Sequence, residues 1–210
     1  MAEDIQTGEA GPILLLAHGA GAPMDSPFMA ALADELAERG VQVVRFEFGY
    51  MARRREDGKK RPPPKAEKLV DEFAGKVTAY GGDSRKPVFV GGKSMGGRIA
   101  SLLAASQAAP VAGCACFGYP FHPPGKPDRW RTDHFAELAV PLLVNQGTRD
   151  PFGRQEEVLA HFESSLPFAV EWLEDGEHDF KPRKASGLTQ QALIAQAAER
   201  TARWINDLTT

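Results

Sequence analysis

Short apolar runs alternate with amphipathic stretches along this 210-residue chain, a pattern that predicts a parallel sheet connected by crossover helices. The apolar runs are rich in Val, Ile, Leu and Phe without strict alternation, as expected for strands covered by helices on both faces. We therefore predict a three-layer α/β fold, with a mostly parallel sheet of about six strands, in a single domain over residues 1–210. The predicted strands are 13–17, 41–46, 88–90, 111–117, 142–145 and 169–173.

The amphipathic stretches between these runs predict helices. The first has Ser26 before it, Pro27 in its first turn and Gly40 after it, an arrangement that begins and ends helices. Two connections, 49–64 and 118–139, are longer than compact domains usually contain, which indicates functional or disordered segments. The predicted helices are 27–39, 65–80, the stretch after Ser94, 154–164 and 189–208.

Composition and charge exclude several classes of protein. The net charge is −3, so the chain is not a globally basic nucleic-acid binder, and we expect no nucleic-acid partner. No apolar run approaches the roughly 20 residues of a membrane span, and residues 1–10 contain no Lys or Arg, unlike a signal peptide. Cys114 and Cys116 lie two apart in an apolar run, where we expect small buried side chains rather than a redox or metal pair. A cytoplasmic protein without metal or organic cofactor is predicted.

The strongest chemical signal is Gly-Lys-Ser-Met-Gly at 92–96. This G-x-S-x-G directly follows a predicted strand and precedes a helical stretch, the context in which a strained serine is raised above a sheet. A phosphate-binding loop ending at Ser94 would need glycine where Pro87 stands. A dinucleotide fingerprint starting at Gly19 would need its third glycine where Met24 stands. The residues therefore favour Ser94 as a nucleophile.

A serine nucleophile needs a base, and the base needs an orienting acid. Asp150 follows the predicted strand 142–145, and His178 follows the strand 169–173. The order serine, acid, histidine, with each residue after a later strand, is that of a nucleophile elbow and its partners. Alternatively, Asp150 begins the following helix and His178 is a hydrogen-bonded surface histidine.

An oxyanion hole requires backbone N–H groups aimed at the developing charge. One is expected from Met95, directly after the nucleophile, and the other from the loop after the first predicted strand, with Ala20 as the candidate. Glycines on both sides of Ala20 allow this loop to fold toward the elbow. His18, at the start of the loop, is interpreted as a structural residue.

The chain resembles the α/β-hydrolase superfamily, and more narrowly a small family of testis-expressed-type hydrolase-like proteins and a hydrolase-like subunit of a chromatin-modifying complex. Dienelactone-hydrolase-like enzymes are a looser resemblance, since their nucleophile is usually cysteine. The resemblance implies an α/β-hydrolase fold and leaves the substrate open. It also implies that the chain starts at the strand that normally comes third, and that 118–139 is too short for a cap domain. The motifs are His-Gly-Ala-Gly-Ala at 18–22, Arg-Pro-Pro-Pro at 61–64, and the blocks 91–98, 118–127 and 146–153.

Two segments suggest how a substrate would bind, an aromatic loop and a basic stretch. We expect an open cleft walled by Tyr119, Phe121, Trp130 and Phe135, although these aromatic side chains could instead only pack their loop onto the domain. The segment 51–65, called the basic segment here, carries seven positive and two negative residues. It is expected to be solvated and mobile. Alternatively, it steers an anionic substrate or docks an acidic partner.

The sequence thus predicts a serine hydrolase acting on a small carboxylic ester or thioester through an acyl-serine intermediate. Its partner would be a small acyl substrate, anionic if the basic segment steers it, with no membrane partner. Peptidase activity on short peptides uses the same chemistry and stays open. A catalytically silent binding module with the same fold is the alternative from another class.

Overall fold

The computed structural model describes residues 3–82, 86–163 and 165–209. In this part of the chain, seven strands form one sheet, in the order β1-β3-β2-β4-β5-β6-β7. Neighbouring strands are parallel except β1, which pairs antiparallel with β3 at the sheet edge. The strands are β1 (Ile5–Thr7), β2 (Ile13–Ala17), β3 (Gln42–Phe46), β4 (Val88–Lys93), β5 (Gly113–Phe117), β6 (Leu142–Gly147) and β7 (Ala169–Leu173).

The sheet confirms the predicted fold class and adds a strand to it. β1 precedes the first predicted strand, so the expectation that the chain starts at the third strand of the superfamily misses an antiparallel edge strand. Its sequence, Ile-Gln-Thr, contains a single apolar residue and therefore produces no apolar run. Its pairing with β3 places it, since Ile5 lies opposite Arg45 and Thr7 opposite Val43.

Helices cover both faces of the sheet. On one face, α1 and α6 pack over Leu14 and Leu16 of β2. On the other, α3 and α4 enclose a core that includes Phe73, whose ring lies 4.8 Å from that of Phe46. Ser164, the predicted end of the fourth helix, lies outside the described residues. The helices are α1 (Pro27–Glu38), α2 (Gly49–Asp57), α3 (Ala66–Gly81), α4 (Met95–Ser106), α5 (Gln155–His161) and α6 (Gln190–Asp207).

The basic segment departs from its prediction. Helix α2 occupies its first half, and Gly58 ends the helix in the left-handed region at φ 71°, where glycine is favoured. Arg55 on this helix pairs with Asp25 at 2.9 Å and with Glu47 at 2.5 Å. The charged side chains of the segment are exposed or half-buried, as expected, but its first part is a helix with a buried face rather than a loop.

Two free thiols lie inside the sheet. Cys114 and Cys116 on β5 are fully buried, with their sulfur atoms 3.8 Å apart. Burial raises the pKa of the Cys116 thiol well above its ordinary value. Both residues thus pack as small apolar side chains.

None of the helices in the described part of the chain has the length and apolar character that a membrane crossing requires.

Candidate active site

Ser94 occupies a sharp turn between β4 and α4. Its backbone has φ 52° and ψ −116°, a strained conformation for a residue with a side chain. The turn depends on Gly96, because a Cβ atom there would lie 2.5 Å from the carbonyl oxygen of Ala17 and 2.6 Å from that of His18. The backbone can therefore pass this closely only without a side chain, and the turn presents the Ser94 hydroxyl at the carboxyl edge of the sheet.

Two side chains from later loops complete a hydrogen-bonded chain with Ser94. The Nε2 atom of His178 lies 2.8 Å from Ser94 Oγ, and its Nδ1 atom lies 2.8 Å from Oδ2 of Asp150. The Asp150 side chain is 0% exposed and that of His178 is 20% exposed. A buried carboxylate on Nδ1 keeps the proton on that nitrogen, so Nε2 is free to accept the hydroxyl proton.

Asp150 is itself held by neighbours that the sequence did not reveal. Gln146 donates from Nε2 to Asp150 Oδ2 at 3.0 Å, and the backbone N–H of Phe152 donates to Oδ1 at 2.9 Å. The Phe152 ring also packs against the His178 ring, with centroids 4.2 Å apart. Since α5 begins only at Gln155, Asp150 does not begin a helix, and its carboxylate faces His178 instead.

The two candidate oxyanion donors lie beside Ser94. Ala20 and Met95 both line the same cavity as Ser94, and neither N–H donates to another described residue. The Tyr50 hydroxyl donates to the Ala20 carbonyl at 3.0 Å and contacts Met95 Sδ at 3.9 Å. Burial raises the pKa of Tyr50 to about 12, so the phenol remains a donor at neutral pH. Tyr50 therefore anchors the Ala20–Gly21 peptide unit, which directly follows the unit that carries the Ala20 N–H.

His18 holds the loop that carries Ala20 through two hydrogen bonds. Its Nδ1 atom donates to the Gly19 carbonyl at 2.7 Å, and its Nε2 atom accepts from the Phe48 N–H at 3.2 Å. Burial lowers its pKa, which favours the neutral ring that this donor–acceptor pattern requires. His18 thus has the structural role that the sequence analysis assigned to it.

The segment carrying His178 is tied down at both ends. On its N-terminal side, Asp175 accepts hydrogen bonds from the backbone and guanidinium of Arg183, each at 2.6 Å, and these bonds lower its pKa. On its C-terminal side, Asp179 Oδ1 lies 3.3 Å from Nζ of Lys93. Burial lowers the pKa of Lys93, an effect that Asp179 partly opposes. Because Lys93 directly precedes the nucleophile, this ion pair links the serine turn to the histidine segment.

Cavities open on two sides of Ser94. The larger, of about 510 Å³, is bounded by Met95, Arg98, Arg131 and Phe152. The smaller, of about 260 Å³, contains the ring of His178 and the Lys93–Asp179 ion pair. Among the described residues, no group of three or more His, Cys, Asp and Glu side chains is arranged to hold a metal ion. The site thus offers a hydroxyl, a base and two backbone donors between two separate spaces.

The four aromatic residues expected to wall the cleft do not line either cavity. Tyr119 and Phe121 are fully buried and Phe135 is 7% exposed, and their rings pack against one another. Trp130 stacks on His161, with centroids 3.6 Å apart. The prediction that these residues wall the cleft is therefore wrong. Their rings pack the loop 118–139 onto the domain, and Phe152 contributes the aromatic surface beside Ser94.

Comparison with known proteins gives the family. Est1E from Butyrivibrio proteoclasticus has a TM-score of 0.72 at 14% identity, over 97% of this chain and 94% of that chain. An alpha-beta serine hydrolase homologue from Coxiella burnetii has a TM-score of 0.65 at 20% identity, over 95% and 88%. A dienelactone hydrolase from Anabaena variabilis has a TM-score of 0.63 at 20% identity, over 93% and 88%. Residues 10–206 match the family described as an alpha/beta hydrolase domain, so the chain belongs to the alpha/beta hydrolases.

Proposed function

We propose that this protein is a serine hydrolase that transfers the acyl group of a carboxylic ester or thioester to water. The observation that carries the proposal is the pair of 2.8 Å hydrogen bonds joining Ser94, His178 and Asp150. The two hydrogen bonds end at the Ser94 hydroxyl, which lies on a strained turn and faces open cavities. The same three residue types in this order activate the serine of other nucleophile elbows.

In the first half of the reaction, Ser94 Oγ attacks the acyl carbonyl carbon while His178 Nε2 takes the hydroxyl proton. The carbonyl oxygen becomes an oxyanion that the Ala20 and Met95 N–H groups would bind. His178 then gives its proton to the departing alcohol or thiol as the bond from the carbonyl carbon breaks. The product is an acyl-Ser94 ester.

In the second half, water replaces the leaving group. His178 takes a proton from the water as its oxygen attacks the acyl-enzyme carbonyl, and returns it to Ser94 Oγ as the acid departs. The Asp150 carboxylate would stabilise the imidazolium in both halves. These steps need neither an oxidant nor a reductant.

The ester class is supported by the relatives and by the size of the site. A dienelactone is a cyclic ester, and the dienelactone hydrolase from Anabaena variabilis shares this fold. The larger cavity, at about 510 Å³, has the volume of a small-molecule site. A small acyl ester or thioester therefore fits the proposal better than a long polymer.

A fluorophosphonate probe tests the proposal because it reacts only with an activated serine. We expect labelling of wild type and none of Ser94→Ala. The matched control is Ser101→Ala in α4, since Ser101 Oγ also contacts a histidine, His134 Nε2, at 2.8 Å but is fully buried. Ser101→Ala should therefore retain the label.

Turnover completes the test. With ethyl butyrate, Ser94→Ala should lose at least about 10⁴-fold in kcat, while Ser101→Ala retains activity. Folded wild-type protein without Ser94-dependent labelling or turnover would contradict the hydrolase proposal and favour the binding module. Cleavage of short peptides in preference to esters would instead indicate a peptidase.

A further inference from the structure

Two arginines share the larger cavity with Ser94. Arg98 lies in the first turn of α4, and its N–H donates to the Ser94 carbonyl at 3.1 Å. Because Arg98 follows Ser94 by four residues, or about one helical turn, its Cα atom lies about 6 Å from the Cα atom of Ser94. Arg131 enters from the loop 118–139 and lines the same space. Two arginine residues therefore line the cavity beside the nucleophile.

Neither arginine forms an ion pair with a carboxylate in the part of the chain that the structure describes. Among the described residues, no ion pair involves Arg98 or Arg131, and the Nε atom of Arg98 is buried without a hydrogen-bond partner. Arg55 in the basic segment, by contrast, contacts two carboxylates. A buried guanidinium donor without a partner is costly. The Nε atom itself is closed off, so an anion in the cavity would pair with the charge of the guanidinium rather than with Nε.

The packing around Arg131 holds it in this position. Its N–H donates to the Phe121 carbonyl at 2.8 Å, and its own carbonyl accepts from the Tyr119 hydroxyl at 2.8 Å. Burial, and after it the charge of Arg98, lower the pKa of Arg131. These bonds fix the backbone of Arg131 beside a second arginine, an arrangement that charge repulsion alone would oppose.

The two cavities can be assigned to the two halves of an ester. His178 must protonate the leaving group, and it is among the residues that line the smaller cavity and not among those that line the larger one. The leaving group therefore belongs in the smaller cavity, where Lys93 is already paired with Asp179. The acyl chain then extends into the larger cavity, along Leu69 and Ile99 toward the two arginines.

We propose that the acyl group of the substrate carries a second, free carboxylate that binds Arg98 and Arg131, so that the substrate is the half-ester or half-thioester of a dicarboxylic acid. The inference rests on the proposed hydrolase function. Planar guanidinium groups bind carboxylates through paired hydrogen bonds, and the apolar walls accept the methylene chain between the two carboxyl groups. Hydrolysis breaks the bond from the acyl carbon to the leaving oxygen or sulfur and releases the dicarboxylic acid.

Matched esters test this assignment. Monoethyl adipate and ethyl hexanoate have the same chain length and differ in the terminal carboxylate. We expect wild type to favour the half-ester by about 10- to 100-fold in kcat/KM, as for a charged hydrogen-bonding partner. Arg98→Gln and Arg131→Gln should each reduce this ratio by about 10-fold, and the double variant should bring it near one.

The control variant is Arg129→Gln, which removes an exposed arginine of the same loop that does not line the cavity, and it should keep the wild-type ratio. Ser94-dependent hydrolysis of ethyl hexanoate with no preference for monoethyl adipate would overturn the inference and leave the hydrolase proposal intact. A preference for the butyrate ester of glycolate over ethyl butyrate would overturn it by placing the anion on the leaving group. Absence of Ser94-dependent labelling and turnover would overturn both proposals together.

Discussion

Removal of one hydroxyl group, in Tyr50→Phe, tests whether the loop that carries the Ala20 N–H must be held in place for the reaction. In the structure, the phenol donates to the Ala20 carbonyl at 3.0 Å and lies 3.9 Å from Met95 Sδ. Without this bond, the Ala20–Gly21 peptide unit, next to the one that carries the Ala20 N–H, loses its anchor, while the ring still fills the same space. The substitution therefore loosens the loop that carries one proposed oxyanion donor and leaves Ser94, His178 and Asp150 untouched.

The size of the effect follows from the bond that is lost. A neutral hydrogen bond contributes about 0.5–1.5 kcal/mol, which corresponds to roughly a 2- to 12-fold change in rate if it is expressed in the transition state. Complete loss of an oxyanion donor costs about 10²–10³-fold and is the upper limit, because the Ala20 N–H remains present. We expect kcat/KM for ethyl butyrate to fall by about 3- to 10-fold.

Tyr80→Phe is the matched control. Its hydroxyl donates to Asp4 at 2.9 Å in a part of the molecule away from Ser94, so it should affect stability alone. The assay compares kcat/KM, the rate constant of fluorophosphonate labelling and the free energy of unfolding for both variants. An unchanged labelling rate in Tyr50→Phe, with a loss of stability equal to that of Tyr80→Phe, would refute the role of Tyr50 in positioning the Ala20 loop.

Three other substitutions have expected outcomes. Gly96→Ala brings a Cβ atom against the Ala17 carbonyl, so we expect a loss of about 1–3 kcal/mol in unfolding free energy together with loss of fluorophosphonate labelling; full labelling would contradict the described turn. Asp150→Asn should lower kcat by about 10³–10⁴-fold without abolishing folding, because the amide favours the wrong tautomer of His178; near-normal turnover would remove Asp150 from the mechanism. Burial lowers the pKa of His134 to about 4 from its ordinary value of 6.5. The unfolded chain therefore binds this proton first, and stability should fall between pH 6.5 and 4 by at most about 3 kcal/mol. Denaturant unfolding across this range should show a smaller slope for His134→Asn, and parallel profiles would contradict the assignment.

Much of the architecture follows from local patterns in the chain. Continuous apolar runs such as Ile13–Ala17 predict buried parallel strands, and all five residues of β2 are buried. The turn at Ser94 was predictable because G-x-S-x-G directly follows such a run. By contrast, α2 looked like a solvated loop because its arginines dominate the composition. The helix is held by ion pairs of Arg55 with Asp25, which is distant in sequence, and with Glu47, which lies just before the helix.

The same distinction applies to the candidate site. Ser94, Asp150 and His178 could be selected because each directly follows a strand of the predicted sheet. The residues that surround them have roles that depend on long-range contacts. Tyr50 reaches Ala20 across thirty positions of the chain, and no local pattern indicates this contact. Arg98 had a usable signal, since four residues after Ser94 is one helical turn.

The two buried thiols of β5 can report on global unfolding of the protein. Because Cys114 and Cys116 are fully enclosed and the neighbouring strands cover them on both sides, an alkylating reagent meets them only when the sheet separates. The rate of alkylation then follows the population of unfolded molecules. Every substitution above can accordingly be ranked for stability in dilute buffer, without denaturant and without an added label.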